Sequence, residues 1–319
     1  MIFMVRGFSV ILSLLILSLL LTPTLVTAEE YLYILGNRGN PYWVIVAQGI
    51  TDAANEQGVN AKILHLASDI DGEGELNLCR SAIERQPRLL AIVAVNETVG
   101  VRCLQLAAER GILLGDVDAT LPPDALKGTG LSLQFAVGSD NFEVGRKGAE
   151  FLAEDIKKRA PQIFVLEGPV GGTVARKRHE GFTSRFRELR PDAEIVGSIA
   201  ADWDRLKAFQ FTSDILERYP TLDAIFSAND TMALGAAEAV RARRKTVTVV
   251  GVDGIAEARE QIRQGKLRAT VAQLPYLIGK RVVELAVHPE PGKREIVLTP
   301  VLTQESLSAG TDELLKYVR

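Results

Sequence analysis

Short β-branched apolar runs alternate with helical stretches from residue 31 to residue 287, and no other feature restricts the fold as much. The runs fall at 31–35, 61–66, 89–95, 112–117, 134–138, 162–166, 193–199, 223–227, 247–252 and 268–272. Helical patterns fill most of the gaps, at 43–57, 75–86, 98–110, 141–159, 174–189, 204–218, 230–243, 255–264 and 276–287. Strands alternating with helices predict an α/β protein with parallel sheets covered on both faces. Roughly ten strands are too many for one comfortable doubly wound sheet, so two sheets are expected. No Pro/Gly/Ser-rich linker divides them. The longest irregular stretches are 118–133 and 288–295. Two lobes without a floppy tether imply a hinge. Punctuation agrees with the helices: Gly58 closes the first, Asp140 or Asn141 can cap the fourth, and Asp204 and Asp230 are expected N-caps. The terminal TDELLKYVR reads as a short helix capped by Thr311.

Residues 1–28 carry a different pattern. Arg6 precedes an apolar run from Phe8 to Leu21, and small residues Thr27 and Ala28 follow. This is the layout of a secretory signal, with cleavage expected after Ala28 and a periplasmic destination. The alternative is a membrane anchor, for which the run is short and Pro23 too close. The net charge of -3 argues against a generic nucleic-acid or anionic-membrane binder.

The two cysteines, Cys79 and Cys103, would then meet an oxidising compartment. Each lies on the apolar face of a helical pattern. A disulfide between neighbouring helices and two separately buried thiols both remain open, because spacing does not fix Cα distances. Neither cysteine looks like part of a metal site. The three histidines, His65, His179 and His288, are far apart, with no H-E-x-x-H. No G-x-S-x-G elbow appears. GPVGGT at 168–173 matches neither phosphate-binding glycine pattern, and a tight turn explains it. No enzyme, metal or cofactor is expected.

Parallel sheets of this kind bind ligands outside the carboxyl ends of their strands. The loops there carry residues that helix capping does not obviously explain: Asn40, Tyr42, Trp43, Asp118, Arg178, Trp203, Asn229, Asp253 and Gln273. The set joins flat aromatics to planar polar groups. A sugar offers apolar C–H faces to such rings and a rim of hydroxyls to such forks. Each residue also has a bland reading. Trp43 could be a core residue, Tyr42 a surface aromatic, and Arg178 part of a solvated basic face. Asp118, Asn229 and Asp253 could hold turns, and Gln273 could pair with backbone. Trp203, flanked by Asp202 and Asp204, suits a core least.

Several segments together resemble the periplasmic sugar-binding proteins of ABC transporters, in particular the ribose/allose-type group, which shares its fold with the ligand domains of LacI-type repressors. They are GNPYWVIVAQG, VGSDNFEVGRKGAEFLAE, VLEGPVGGTVARKRHEGF, the stretch from ADWDR to GAAEAV, VVGVDG and GKLRATVAQLP. The resemblance implies the type I periplasmic binding protein fold: two Rossmann-like lobes joined by a three-segment hinge. It places the lobes at 29–138 plus 274–299 and at 139–273 plus 300–319. It carries the pocket onto the same nine residues. It implies a monomer that takes up a monosaccharide or polyol by hinge closure and passes it to a membrane permease. The rival is a sensor that presents its ligand to a membrane kinase or chemoreceptor. One departure stands out: the ribose-type proteins have an arginine directly after the first-lobe aspartate, where this chain has Ala119. A cationic donor is lost there and space is gained, so a hexose or polyol is as well supported as ribose.

Overall fold

The computed structural model describes residues 29–309 and 316–317. The expected signal segment lies outside the described residues, as does the expected terminal helix capped by Thr311 apart from Lys316 and Tyr317.

Two six-stranded sheets form the frame. The first is built from β1 (Glu30–Leu35), β2 (Asn60–His65), β3 (Leu89–Ile92), β4 (Leu113–Val117), β5 (Leu133–Gly138) and a late strand, β11 (Lys293–Ile296). Its order is β11-β5-β4-β3-β1-β2, parallel throughout. The second holds β6 (Gln162–Glu167), β7 (Glu194–Ala200), β8 (Ala224–Ser227), β9 (Thr248–Asp253), β10 (Ala269–Ala272) and β12 (Val301–Thr303). Its order is β12-β10-β9-β8-β6-β7. The sheets are parallel as expected, with one addition at an edge, where the short β12 runs antiparallel to β10.

The helices follow the strands: α1 (Pro41–Gln57), α2 (Gly72–Glu84), α3 (Glu97–Ala108), the short α4 (Pro123–Leu126), α5 (Asn141–Asp155) and α6 (Thr173–Leu189). Then come α7 (Arg205–Arg218), α8 (Asp230–Ala242), α9 (Ala256–Arg263), α10 (Pro275–Val287) and α11 (Gln304–Ala309). Strands β3, β8 and β10 are buried along their whole length, as central parallel strands must be. Helix α1 shows why its boundaries fall where they do. Asn40 caps it by accepting from Tyr42 N, Pro41 opens it, and Gly58 ends it in a left-handed turn. Helix α10 crosses α1 where Gly49 and Gly279 face each other. A Cβ on either would come within 2.2 Å of the other helix's backbone.

Three connections pass between the sheets: β5 to α5, β10 to α10, and β11 to β12. Lys147 fastens the third, donating from Nζ to the carbonyl and hydroxyl oxygens of Thr299 at 2.8 and 3.1 Å.

Several boundaries differ from expectation. The stretch 288–295, read as irregular, includes most of β11. This edge strand reads KREI, three charged residues before a single isoleucine, so no apolar run announces it. The fourth helix stops at Asp155 rather than 159. Of the expected caps, Asp140 and Asp204 hold. Asp230 does not: Asn229 caps α8 by accepting from Met232 N, and Asp230 is its first residue.

Cys79 and Cys103 form a disulfide between α2 and α3, with Cα atoms 5.9 Å apart. It closes a loop of 24 residues. By the chain-entropy relation, the double variant Cys79→Ala/Cys103→Ala should lose about 3 kcal/mol of unfolding free energy in urea denaturation. An unchanged midpoint would mean that the bond constrains nothing in the unfolded chain.

Candidate functional site

The carboxyl ends of both sheets open on one cavity. All nine residues singled out in the sequence line it, four on the first-sheet side and five on the second. Its volume is about 80 Å³. That suits one small molecule, not an extended chain.

On the first side, α1 presents its aromatics. The rings of Tyr42 and Trp43 meet edge to face, 4.8 Å between centroids. Tyr42 Oη donates to Asp118 Oδ1 at 2.6 Å. Asp118 and Ala119 both adopt left-handed backbone, φ 67° and 50°. Asp116 holds that loop. Its Oδ1 accepts from the backbone N and hydroxyl of Thr120, and its Oδ2 from Leu121 N. Tyr42, Trp43 and Asp118 are all buried, so the surface-aromatic reading of Tyr42 fails.

On the second side, Arg178 projects from α6. It is only 3% exposed, so the solvated-face reading of its helix does not apply to it. Its Nε donates to Asn141 Oδ1 at 2.8 Å and its Nη1 to the Ala228 carbonyl at 2.7 Å. Nη1 also lies 3.5 Å from Asp253 Oδ1. Gln273 Nε2 donates to the same oxygen at 2.8 Å. The guanidinium sits 5.8 Å from the centroid of Trp203. Trp203 rides on a turn with left-handed backbone at Asp202 and itself, φ 53° and 61°.

Two buried side-chain atoms at the cavity make no hydrogen bond within the protein: Asn229 Nδ2 and Gln273 Oε1. Asn40 and Asn229 both cap helices with their oxygens, so capping explains half of each side chain. The other half of Asn229 is the unmatched donor.

Burial dominates the electrostatics. It pushes the Asp118 carboxyl up to about 6, although the Tyr42 hydrogen bond and Arg178 work against the rise. It raises Asp253 as well, opposed first by Arg178 and then by Gln273. Burial, with Asp118 second, holds the Tyr42 phenol well above its ordinary range. Asp69 adds another carboxylate to the lining, so the walls carry three carboxyl groups and one guanidinium. An anionic ligand would be repelled, and a neutral one with hydroxyl groups would not.

Some lining residues escaped the sequence reading. Asp69 follows β2 and accepts from Asn37 N at 2.6 Å. It stands at the end of a strand, where the rule about strand ends would have found it. Thr120 and Thr173 are small hydroxyl residues with no distinguishing pattern. Thr173 Oγ1 donates to Glu97 Oε1 at 2.7 Å, tying the first turn of α6 to that of α3 across the cleft. Arg176 adds a longer contact to the same carboxylate, 3.4 Å. Among the described residues, no group of three or more His, Cys, Asp or Glu side chains could hold a metal ion.

The model for a periplasmic binding protein domain matches residues 31–290. The chain belongs to the periplasmic binding protein family. Among its relatives is the D-allose-binding periplasmic protein of Escherichia coli (strain K12), 34% identical over 285 residues, covering 89% of this chain and 91% of that one. The ribose import binding protein RbsB of Haemophilus influenzae is 33% identical over 263 residues, covering 82% and 86%. A periplasmic solute-binding protein of an ABC transporter from Actinobacillus succinogenes 130z, solved with bound D-allose, shares 28% identity. It superposes with a TM-score of 0.81 over 88% of this chain and 99% of that one. The type I periplasmic binding protein fold expected from the sequence is therefore present, and the family is one of binding proteins, not enzymes.

The raised Asp118 pKa has a sign that can be tested. Its folded value lies above the ordinary 3.8. Its contribution to stability is therefore complete below about pH 4 and is lost as pH rises through 6. Asp118→Asn removes the ionisation and keeps an acceptor for Tyr42. Without ligand, the variant's stability relative to wild type should rise by about 2 kcal/mol between pH 4 and pH 8, read from urea midpoints. A relative stability that does not change with pH would contradict the burial of a titrating carboxyl here.

Proposed function

We propose that this protein captures a monosaccharide or related polyol between two lobes and delivers it to the membrane permease of an ABC transporter. In this reading the lobes are residues 29–138 plus 274–299 and 139–273 plus 300–319. Residues 1–28 are a secretory leader removed after Ala28, and the protein works in the periplasm as a monomer. The Cys79–Cys103 disulfide suits such an oxidising compartment.

The observation that carries the proposal is the pair of unmatched buried atoms, Asn229 Nδ2 and Gln273 Oε1, in a cavity walled by indoles and carboxylates. One is a donor and the other an acceptor, and a hydroxyl group can satisfy either. Burying such atoms unpaired costs roughly 1–3 kcal/mol each, a cost that a polyhydroxylated ligand removes. Asp118 and Asp253 accept from ligand hydroxyls, Arg178 donates, and Tyr42, Trp43 and Trp203 cover C–H faces.

Ligand meets one lobe first, and hinge rotation brings the other over it, excluding water. The Thr173–Glu97 bond closes the rim on the far side of the ligand. Micromolar affinity, about 8 kcal/mol, is sufficient for capture and still allows release. D-Allose is the first ligand to try, since the Escherichia coli relative is named for it and the Actinobacillus protein was solved with it. Ala119 beside Asp118 leaves more room than the arginine of ribose-type proteins.

A thermal-shift screen over aldohexoses, aldopentoses and polyols tests the reading. The right ligand at about a hundred times its Kd should raise the melting temperature by about 5 °C or more. Trp203→Ala should melt like the ligand-free wild type and show no shift with that ligand. A full shift in this variant would remove Trp203 from the site, and no shift with any sugar or polyol would overturn the proposal.

A further inference from the structure

Two glycines stand behind the two cavity tryptophans, and their backbones do not call for glycine. Gly36 follows β1 and Gly168 follows β6, strands that hold the same place in the order of their sheets. Neither is among the glycines with positive φ, so a larger residue could adopt either conformation. The neighbouring indole is what leaves no room. A Cβ on Gly36 would lie 2.0 Å from Trp43 Nε1 and 2.4 Å from its Cε2. A Cβ on Gly168 would lie 2.2 Å from both Cη2 and Cζ2 of Trp203. Carbon atoms in contact sit about 3.5–4.0 Å apart, so a single methyl group obliges either ring to move by roughly 1.5 Å.

The direction of that movement follows from the lining. Trp43 and Trp203 line the cavity, whereas Gly36 and Gly168 do not, so each ring lies between its glycine and the ligand space. Trp203 also borders a second, more open cleft beside Asp202 and Arg205, and three features hold it on the cavity side. Its backbone is in the left-handed region, the turn is closed by Asp204 N donating to the Ala201 carbonyl at 2.8 Å, and Arg178 covers the ring. Trp43 is braced by the edge-on ring of Tyr42.

Building on the sugar-binding reading, we infer that Gly36 and Gly168 are specificity-determining residues. Their missing side chains seat the two indoles, and the depth of the seats sets how bulky a ring the cavity admits. The device is duplicated, one seat at the matching strand end of each sheet. A methyl group at either seat advances an aromatic face into a space that has little to spare.

Gly168→Ala, Trp203→Phe and the double variant, with Gly36→Ala for the other seat, provide the test. Each is titrated calorimetrically with D-allose and with the smaller erythritol, and ligand-free Gly168→Ala is crystallised. In that crystal the Trp203 ring should be displaced toward the cavity by more than about 1 Å, with the sheets unchanged. Gly168→Ala and Gly36→Ala should each bind D-allose roughly 10–100-fold more weakly and lose less toward erythritol. Phenylalanine lacks the Cζ2–Cη2 edge that meets the methyl group. The double variant should therefore bind D-allose more tightly than Gly168→Ala alone. An indole that has not moved, or affinity lost without this rescue, would overturn the inference. If the wild type binds no sugar or polyol, the functional reading fails, and the displaced or unmoved indole in the ligand-free crystal still decides whether Gly168 is its seat.

Discussion

A carboxylate taken out of water must recover its lost hydration from hydrogen bonds or opposite charge. At the meeting of these two sheets the recovery is incomplete. Asp118 and Asp253 are buried and share one guanidinium, Arg178. Tyr42 and Gln273 each supply one hydrogen bond, and the carboxyls remain harder to ionise than in water. The rest of the site follows from this shortage. The walls are acidic, the free donor and acceptor belong to Asn229 and Gln273, and the guest that completes the set is neutral and rich in hydroxyl groups. Stability is sacrificed in the ligand-free protein to hold groups ready for the ligand, as expected where a site is organised in advance.

The fold makes this arrangement possible because the loops after four strands of the first sheet, β1 to β4, and five of the second, β6 to β10, all contribute to one cavity. Buried carboxylates also serve as scaffolding. Asp116 organises the loop that displays Asp118, and Asp230 receives Gly254 N, Ile255 N and Thr270 Oγ1, fixing the turn beside Asp253. Ligand-facing and structural aspartates thus stand two residues apart at one strand end, with different partners and different roles.

The sequence revealed the frame because long apolar alternation leaves few ways to fold. Central strands such as β3 and β8 announce themselves as uninterrupted apolar runs. Strands β11 and β12 do not, because edge strands of three and four residues are too short to carry a periodic signal. Aromatics and forked polar groups at strand ends were visible as a chemical set. What each side chain does there was less visible. Asn229 and Asp230 are neighbours of similar chemistry, and only the geometry shows that the first caps α8 while the second braces a remote turn. The Thr173–Glu97 tie joins residues 76 apart, beyond any local pattern. Gly36 and Gly168 look like ordinary turn residues until the rings pressed against them are seen.

The most direct measurement is a crystal structure of the protein grown with the sugar or polyol that raises its melting temperature most. The account predicts one molecule in the cleft with C–H faces against Trp43 and Trp203. Its hydroxyl groups should bond to Asp118, Arg178 and Asp253, and to the unmatched atoms of Asn229 and Gln273. A ligand bound elsewhere, or one in the cleft that leaves the two indoles and the two carboxylates untouched, would contradict it.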